Sequence, residues 1–194
     1  LNKLKKKYKN LEIFDHHTSH AASALYFSGW KNCYVLTIDG WGDNSSSKFF
    51  KSNNGKLKLL SSTQTIDSLG YFYGSITKLL GFKPHQHEGK ILGLAAYGNS
   101  RTAYKEISKM VSYNKHQNSF DGNVENGIYL PNFNNPNLKF LLRKYSREDI
   151  CAATQRVLEK VVIDFINNIN SKKFNLALAG GGFSNVKLKP RFLG

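Results

Sequence analysis

The sequence predicts an α/β domain, and three features carry that prediction. An apolar, β-branched run at residues 33–39 ends in Asp39-Gly40, the pattern of a buried strand closing at a turn. Two further strand-like runs, 48–52 and 57–64, are joined by Asn53-Asn54-Gly55-Lys56, whose Asn and Gly accept the positive φ angles of a tight hairpin. A long amphipathic stretch, residues 147–170, then feeds a second buried strand at 174–179 that enters Gly180, Gly181 and Gly182.

In chain order, residues 1–10 are a solvated basic lead-in carrying Lys3, Lys5, Lys6, Lys7 and Lys9, and residues 11–14 read as a short strand. Residues 20–28 are small or apolar with good helical propensity, and Gly29 supplies the left-handed C-cap. The three strands follow, the second and third paired antiparallel. Ser68 caps a helix over 69–80, which Gly81 stops, with Pro84 beyond. Residues 89–97 are expected to form a short buried helix and residues 101–112 a more polar one. Residues 114–136 are rich in Asn, Gly and Pro and lack periodicity, so they read as loop with a small hairpin around Gly122 and Gly127. In the long helix, Ile150, Ala153, Val157, Val161 and Phe165 recur at spacings of three and four, the stripe that faces a core. Another helix is expected to begin near Ser184. Three strands in a meander, a helix, an insertion, a helix, a strand and a glycine turn is the order of a ribonuclease-H-like lobe of the actin and sugar-kinase (ASKHA) superfamily, here incomplete at both ends.

At 194 residues, 40% hydrophobic and 21% charged, the chain has the balance of one globular core. No apolar run approaches the length that crosses a bilayer, and no signal-peptide core follows the basic N-terminus, so a membrane location is set aside and the cytoplasm expected. Cys33 falls in a strand pattern and Cys151 in a helix pattern, without CxxC spacing; both are read as packing residues. The formal charge of +15 raises nucleic acid as a partner. Because the basic residues are scattered and no nucleic-acid module accompanies them, that partner is not favoured. The Lys, Asn, Ile, Phe and Tyr richness fits the codon bias of an AT-rich genome.

The densest chemistry lies in DHHTSHAASA at 15–24, followed by VLTIDGWGD at 35–43. On a helix, His16 and His20 lie one turn apart on one face, and Asp39 projects from the end of a strand. Two neutral imidazoles and a carboxylate, with positions left open, suit a divalent transition metal, most simply Fe(II), with Zn or Mn less favoured. The same spacing also occurs in hydrogen-bonded histidine pairs that hold no metal. His17 points about 100° away from His16 and is cast as a supporting or acceptor-contacting residue. Gly180, Gly181 and Gly182 bring backbone N–H groups against a phosphate, or else form a tight strand-to-helix turn that binds nothing. Lys90 is placed to meet a phosphate and Glu88 a hydroxyl, the alternative being a surface ion pair. His85, His87 and His116 fall in loop-like stretches and receive no role.

Four segments in order resemble the catalytic domain of the carbamoyltransferase family that includes NodU, CmcH and the tobramycin carbamoyltransferase. They are HHxxHAASA with VLTIDGWGD, SLGYFYGSITKLLGF at 68–82, EGKILGLAAYG at 88–98 and LAGGGFSN at 178–185. The resemblance implies His16, His20 and Asp39 as metal ligands, with a further Asp downstream of the glycine loop. It also implies a nucleotide site at Gly180, Gly181, Gly182 and Asn185 and at Gly40, Gly42, Ser45 and Ser46 of a DGxGExxS-like hairpin. Asp43 stands where Glu is common, and residues 187–191 diverge from the family pattern. By the same resemblance, carbamoyl phosphate and ATP are converted to carbamoyl adenylate by a YrdC-like C-terminal domain. The region represented here then transfers the carbamoyl group to an acceptor hydroxyl. Residues 11–194 are accordingly expected to be a partial N-terminal transferase domain, its C-terminal partner supplied in cis or in trans. The alternative is a catalytically incomplete remnant or a nucleotide-binding interaction module.

Overall fold

Alternation along one strand organises the molecule. In β1 (Cys33–Gly42), Cys33 and Val35 pack with Ala21 and Leu25 of α1 (His16–Ser28), whereas Leu36 and Ile38 face a larger core on the opposite side. β1 pairs antiparallel with β2 (Ser45–Asn53), and β2 with β3 (Lys56–Gln64), through a hairpin in which Asn54 and Gly55 have φ of 49° and 78°. On its other side β1 pairs parallel with β6 (Leu176–Ala179), so the sheet order is β3-β2-β1-β6. A parallel neighbour needs a crossover, and the helices between β3 and β6 supply it. This computed structural model describes residues 7, 8, 10–124, 134–169 and 174–188. It is a mixed α/β arrangement.

The larger core is built by α2 (Leu69–Leu79) and α6 (Arg147–Ile169) against the sheet. Ser68 caps α2 by accepting from the Tyr71 N–H, and Gly81 follows its end with φ of 78°. On α6 the expected stripe is buried, and the Phe165 ring meets Phe49, Tyr113 and Phe120. Among the described residues no helix is long and apolar enough to cross a membrane.

Four elements differ from expectation. Residues 11–14 pair with no strand of the described sheet. In α3 (Glu88–Leu94) only Ile91 is buried; Gly89, Lys90, Ala96 and Tyr97 are exposed, because this segment lies on the core by a single stripe. The helix expected over 101–112 shrinks to α4 (Tyr104–Ile107). Val111–Asn114 instead forms β4, which pairs with β5 (Ser119–Gly122). Asn118, at φ 50°, allows the reversal, and the Thr63 hydroxyl accepts the Phe120 N–H, drawing the hairpin onto β3. Gly122 ends that hairpin, while Gly127 lies outside the described residues. A further helix, α5 (Lys139–Lys144), is anchored by buried Leu141. After the glycines the chain makes a 3-10 turn at Gly181–Ser184, and Asn185 leaves it at ψ 102°, so the helix expected near Ser184 does not start there. Residues 189 onward lie outside the described residues.

Both cysteines are packing residues, Cys33 at 4% and Cys151 at 0% exposure. Burial pushes the Cys151 thiol up to about 12 and raises Cys33 as well. A thiol reagent at pH 8 is therefore expected to label neither in the native chain and both after denaturation, read by absorbance. Because the Cys151 value is raised in the fold, its stabilising contribution is complete below about pH 9 and falls as pH rises toward 12.

Candidate metal centre

The site begins with the start of α1. Asp15 caps that helix, its Oδ1 accepting from the Thr18 N–H at 2.8 Å, and the Asp43 carboxylate accepts from the His16 N–H at 2.8 Å. A buried stripe of His17, Ala21 and Leu25 seats α1 on the sheet, which leaves His16 and His20 at the rim beside the end of β1. By strand parity Asp39 shares the α1 face with Val35 and Thr37. Its Oδ2 lies 3.1 Å from His16 Nε2 and 3.2 Å from His20 Nε2, and one ligand atom from each of the three residues falls within 4.8 Å of the others. Asp39 Oδ1 accepts from the Gly181 N–H at 2.7 Å. One carboxylate thus joins the histidine pair to the glycine loop.

Of the two roles expected for His17, its placement agrees with the supporting one and corrects the acceptor contact. It is 0% exposed, with Nδ1 2.8 Å from Thr37 Oγ1 and Nε2 3.1 Å from the Ser45 carbonyl. Burial lowers its pKa, so the ring is a neutral pin between α1 and the sheet.

Several glycines are required by close packing. A Cβ on Gly180 would fall 2.9 Å from Asp39 Oδ2 and on Gly181 2.9 Å from Oδ1, while Gly182 would meet the Ile38 side chain at 2.7 Å. Gly180 also has φ of 95°. A Cβ on Gly42 would overlap the His16 ring, and one on Gly70 the backbone of Gly40. The expected phosphate cradle is thereby changed: the Gly181 N–H is already bound by Asp39, and no α-helix N-terminus stands behind the loop among the described residues.

Beside Asp39 lies a cavity of about 460 Å³ whose wall includes Asp39 itself, Gly40, Tyr73, Glu88, Gly181 and Asn185. Ser45 and Ser46, expected to wrap phosphate, are buried, and their hydroxyls donate to the Gly42 and Gln64 carbonyls. Lys90 is outside the cavity wall; its ammonium sits 5.2 Å from the centre of the Phe82 ring and makes no ion pair with Glu88. Glu88 instead accepts from the His85 N–H. His85 also reaches the wall, in a left-handed backbone at φ 65°, a placement no sequence signal announces. Tyr73, Gln155 and Glu159 were not anticipated either. Gln155 and Glu159 share a row of α6 with Ala152, Val162 and Ile166, roughly opposite the expected stripe, where polar residues read as solvent-facing, so the sequence carried no signal for them.

Asp15 matters to the site through the helix it starts. Although partial burial opposes ionisation, hydrogen bonds from Lys48 and from the Thr18 N–H and hydroxyl hold its carboxyl down at about 2. Asp15→Ala is expected to lower stability by about 1–2 kcal/mol, a cap and a partly buried ion pair, as measured by urea unfolding.

The family profile described as Carbamoyltransferase N-terminus matches residues 1–193. Over 92% and 98% of its own length the chain is 34% and 32% identical to two uncharacterized proteins of Methanocaldococcus jannaschii. It is 29% identical, over 94% of its length, to the nodulation protein NolNO of Sinorhizobium fredii. The chain spans 32%, 37% and 27% of those three proteins, about a third of each. With a profile match running from end to end, and the histidine pair, the strand-end carboxylate and the glycine loop in mutual contact, this chain belongs to the carbamoyltransferase N-terminus family.

Proposed function

We propose that this chain is the transferase domain of an O-carbamoyltransferase, moving a carbamoyl group from carbamoyl adenylate to a hydroxyl of a sugar-like or natural-product acceptor. The observation that carries it is the junction at Asp39, which holds the two histidines on one oxygen and the glycine loop on the other, at the wall of a cavity large enough for a ligand. The sheet order, with a parallel strand added beside a three-strand meander, supports a ribonuclease-H-like lobe of the ASKHA type. Since the relatives are about three times longer, we assign carbamoyl adenylate formation from carbamoyl phosphate and ATP to the remainder of such a protein.

The donor set fits a divalent ion. Ligand atoms held at about 2.1 Å from a common centre lie about 3 Å apart, and the two histidine-to-Asp39 separations are 3.1 and 3.2 Å. When bound by His16, His20 and Asp39, such a metal, most simply Fe(II), supplies Lewis-acid stabilisation of charge on the carbamoyl or phosphate oxygens. The residues around it do the rest. Asp39 keeps loop and histidines in fixed relation, the glycines let the loop close against Asp39 and Ile38, and Glu88 on the wall is suited to accept from a ligand hydroxyl. In the transfer the acceptor oxygen bonds to the carbamoyl carbon, the bond from that carbon to the phosphate oxygen breaks, AMP leaves, and the hydroxyl proton passes to solvent or a wall carboxylate.

The test is to give the full-length protein carbamoyl phosphate, ATP and a panel of hydroxylated acceptors, with AMP and carbamate ester measured together. Equal amounts of the two are expected. AMP formation that never yields an ester with any acceptor would favour the incomplete-module reading.

A further inference from the structure

Behind the glycine loop lies a buried polar chain that no sequence motif announced. Gln155 is 4% exposed, Glu159 8% and Tyr73 6%. Gln155 uses its full hydrogen-bonding capacity: Nε2 donates to Glu159 Oε1 at 2.8 Å and to Asn185 Oδ1 at 3.2 Å. Its Oε1 accepts from Asn185 Nδ2 at 2.8 Å and from the Tyr73 hydroxyl at 3.2 Å. The direction of this chain is imposed from both ends, by Glu159 on Gln155 and by the Lys187 N–H on Asn185. The Glu159 carboxylate accepts only, so the Gln155 amide nitrogen must face it and the Gln155 oxygen must face Tyr73 and the Asn185 nitrogen. Asn185 Oδ1 accepts in addition from the Lys187 N–H at 3.2 Å, which fills both its lone pairs. Turning the Asn185 amide over would set donor against donor at both places. Its remaining capacity is a single N–H on Nδ2, and Asn185 is part of the cavity wall.

We propose that Glu159, acting through Gln155 and together with the Lys187 N–H, is a positioning residue that orients the Asn185 carboxamide, so that the cavity wall presents an N–H donor to a ribose or phosphate oxygen of the bound nucleotide. This deepens the nucleotide reading of the cavity and rests on it. Buried networks of this kind are rigid when every member is satisfied, and here the rigidity selects for an acceptor atom on the ligand.

The experiment titrates ADP and adenosine calorimetrically into the wild-type chain, Glu159→Gln, Gln155→Leu, and the double variant Gln155→Leu with Glu159→Gln, with thermal unfolding in parallel. Glu159→Gln, which leaves the Lys187 N–H alone to set the Asn185 amide, is expected to bind ADP about tenfold more weakly, or about 1.4 kcal/mol, with little change in melting temperature. Because Glu159 acts through Gln155, adding Glu159→Gln to Gln155→Leu should cost no further affinity. Adenosine losing affinity alike marks a ribose oxygen; loss for ADP alone marks a phosphate oxygen. Unchanged binding in Glu159→Gln, or a loss that follows melting temperature or recurs undiminished in the Gln155→Leu background, would overturn the proposal. If the wild-type chain binds neither ligand, the nucleotide reading itself fails. The Asn185 carboxamide signals by NMR then decide the orientation separately. One protected and one exchanging proton in the wild type, with doubled signals in Glu159→Gln, uphold it, and identical spectra sink it.

Discussion

His16→Ala or His20→Ala in the full-length protein is expected to reduce carbamoyl transfer by about 10³-fold or more, roughly 4 kcal/mol of transition-state stabilisation, while leaving carbamoyl adenylate formation intact. Each substitution removes one of three donor groups whose mutual separations suit one ion. Neither side chain caps the helix or enters a core cluster; the stripe that seats α1 is His17, Ala21 and Leu25. The fold should therefore survive, and metal content measured on the purified variants should fall with transfer. Asp39→Asn is expected to be more disruptive still, because it weakens the contact to both histidines and alters the tie to Gly181. Equal loss of both steps in His16→Ala would show that the metal serves something other than transfer. Full transfer by a metal-free variant would remove the metal from the mechanism altogether.

Gly98→Ala should cost at least about 3 kcal/mol, or prevent folding, whereas Gly93→Ala, five residues earlier in the same EGKILGLAAYG segment, should be neutral or mildly stabilising. A Cβ on Gly98 would overlap the backbone carbonyl of Glu148 in the first turn of α6, and a backbone atom yields only if the helix moves. Gly93 is exposed within α3 with nothing within 4 Å of such a Cβ, so Ala there gains about 0.5–1 kcal/mol of helix propensity. Chemical denaturation of the two variants side by side measures the contrast. Similar stabilities would mean that α6 shifts at little cost and that the Gly98 contact does not hold the loop to the helix.

What these residues share is the limit of local pattern. The sequence alone was enough for every element whose cause is local: the alternation of β1, the Asn54-Gly55 hairpin, the Ser68 cap, the stripe on α6 and the one-turn spacing of His16 and His20. It misassigned residues 101–112, where buried Met110 and Val111 and the pull of Thr63 on Phe120 outweighed modest helical propensity. Its glycines could be counted but not sorted, since whether a glycine admits a ligand, a neighbouring strand or nothing depends on what lies across from it. The same holds for the polar residues. Ser45, Ser46 and His17 matched a ligand-contacting pattern and are spent inside the protein, while Tyr73 and Glu159 meet at Gln155, which in turn bonds Asn185. Period and spacing decide which way a side chain leaves its own backbone; only the packing of α1, α2 and α6 on one sheet decides what it finds there.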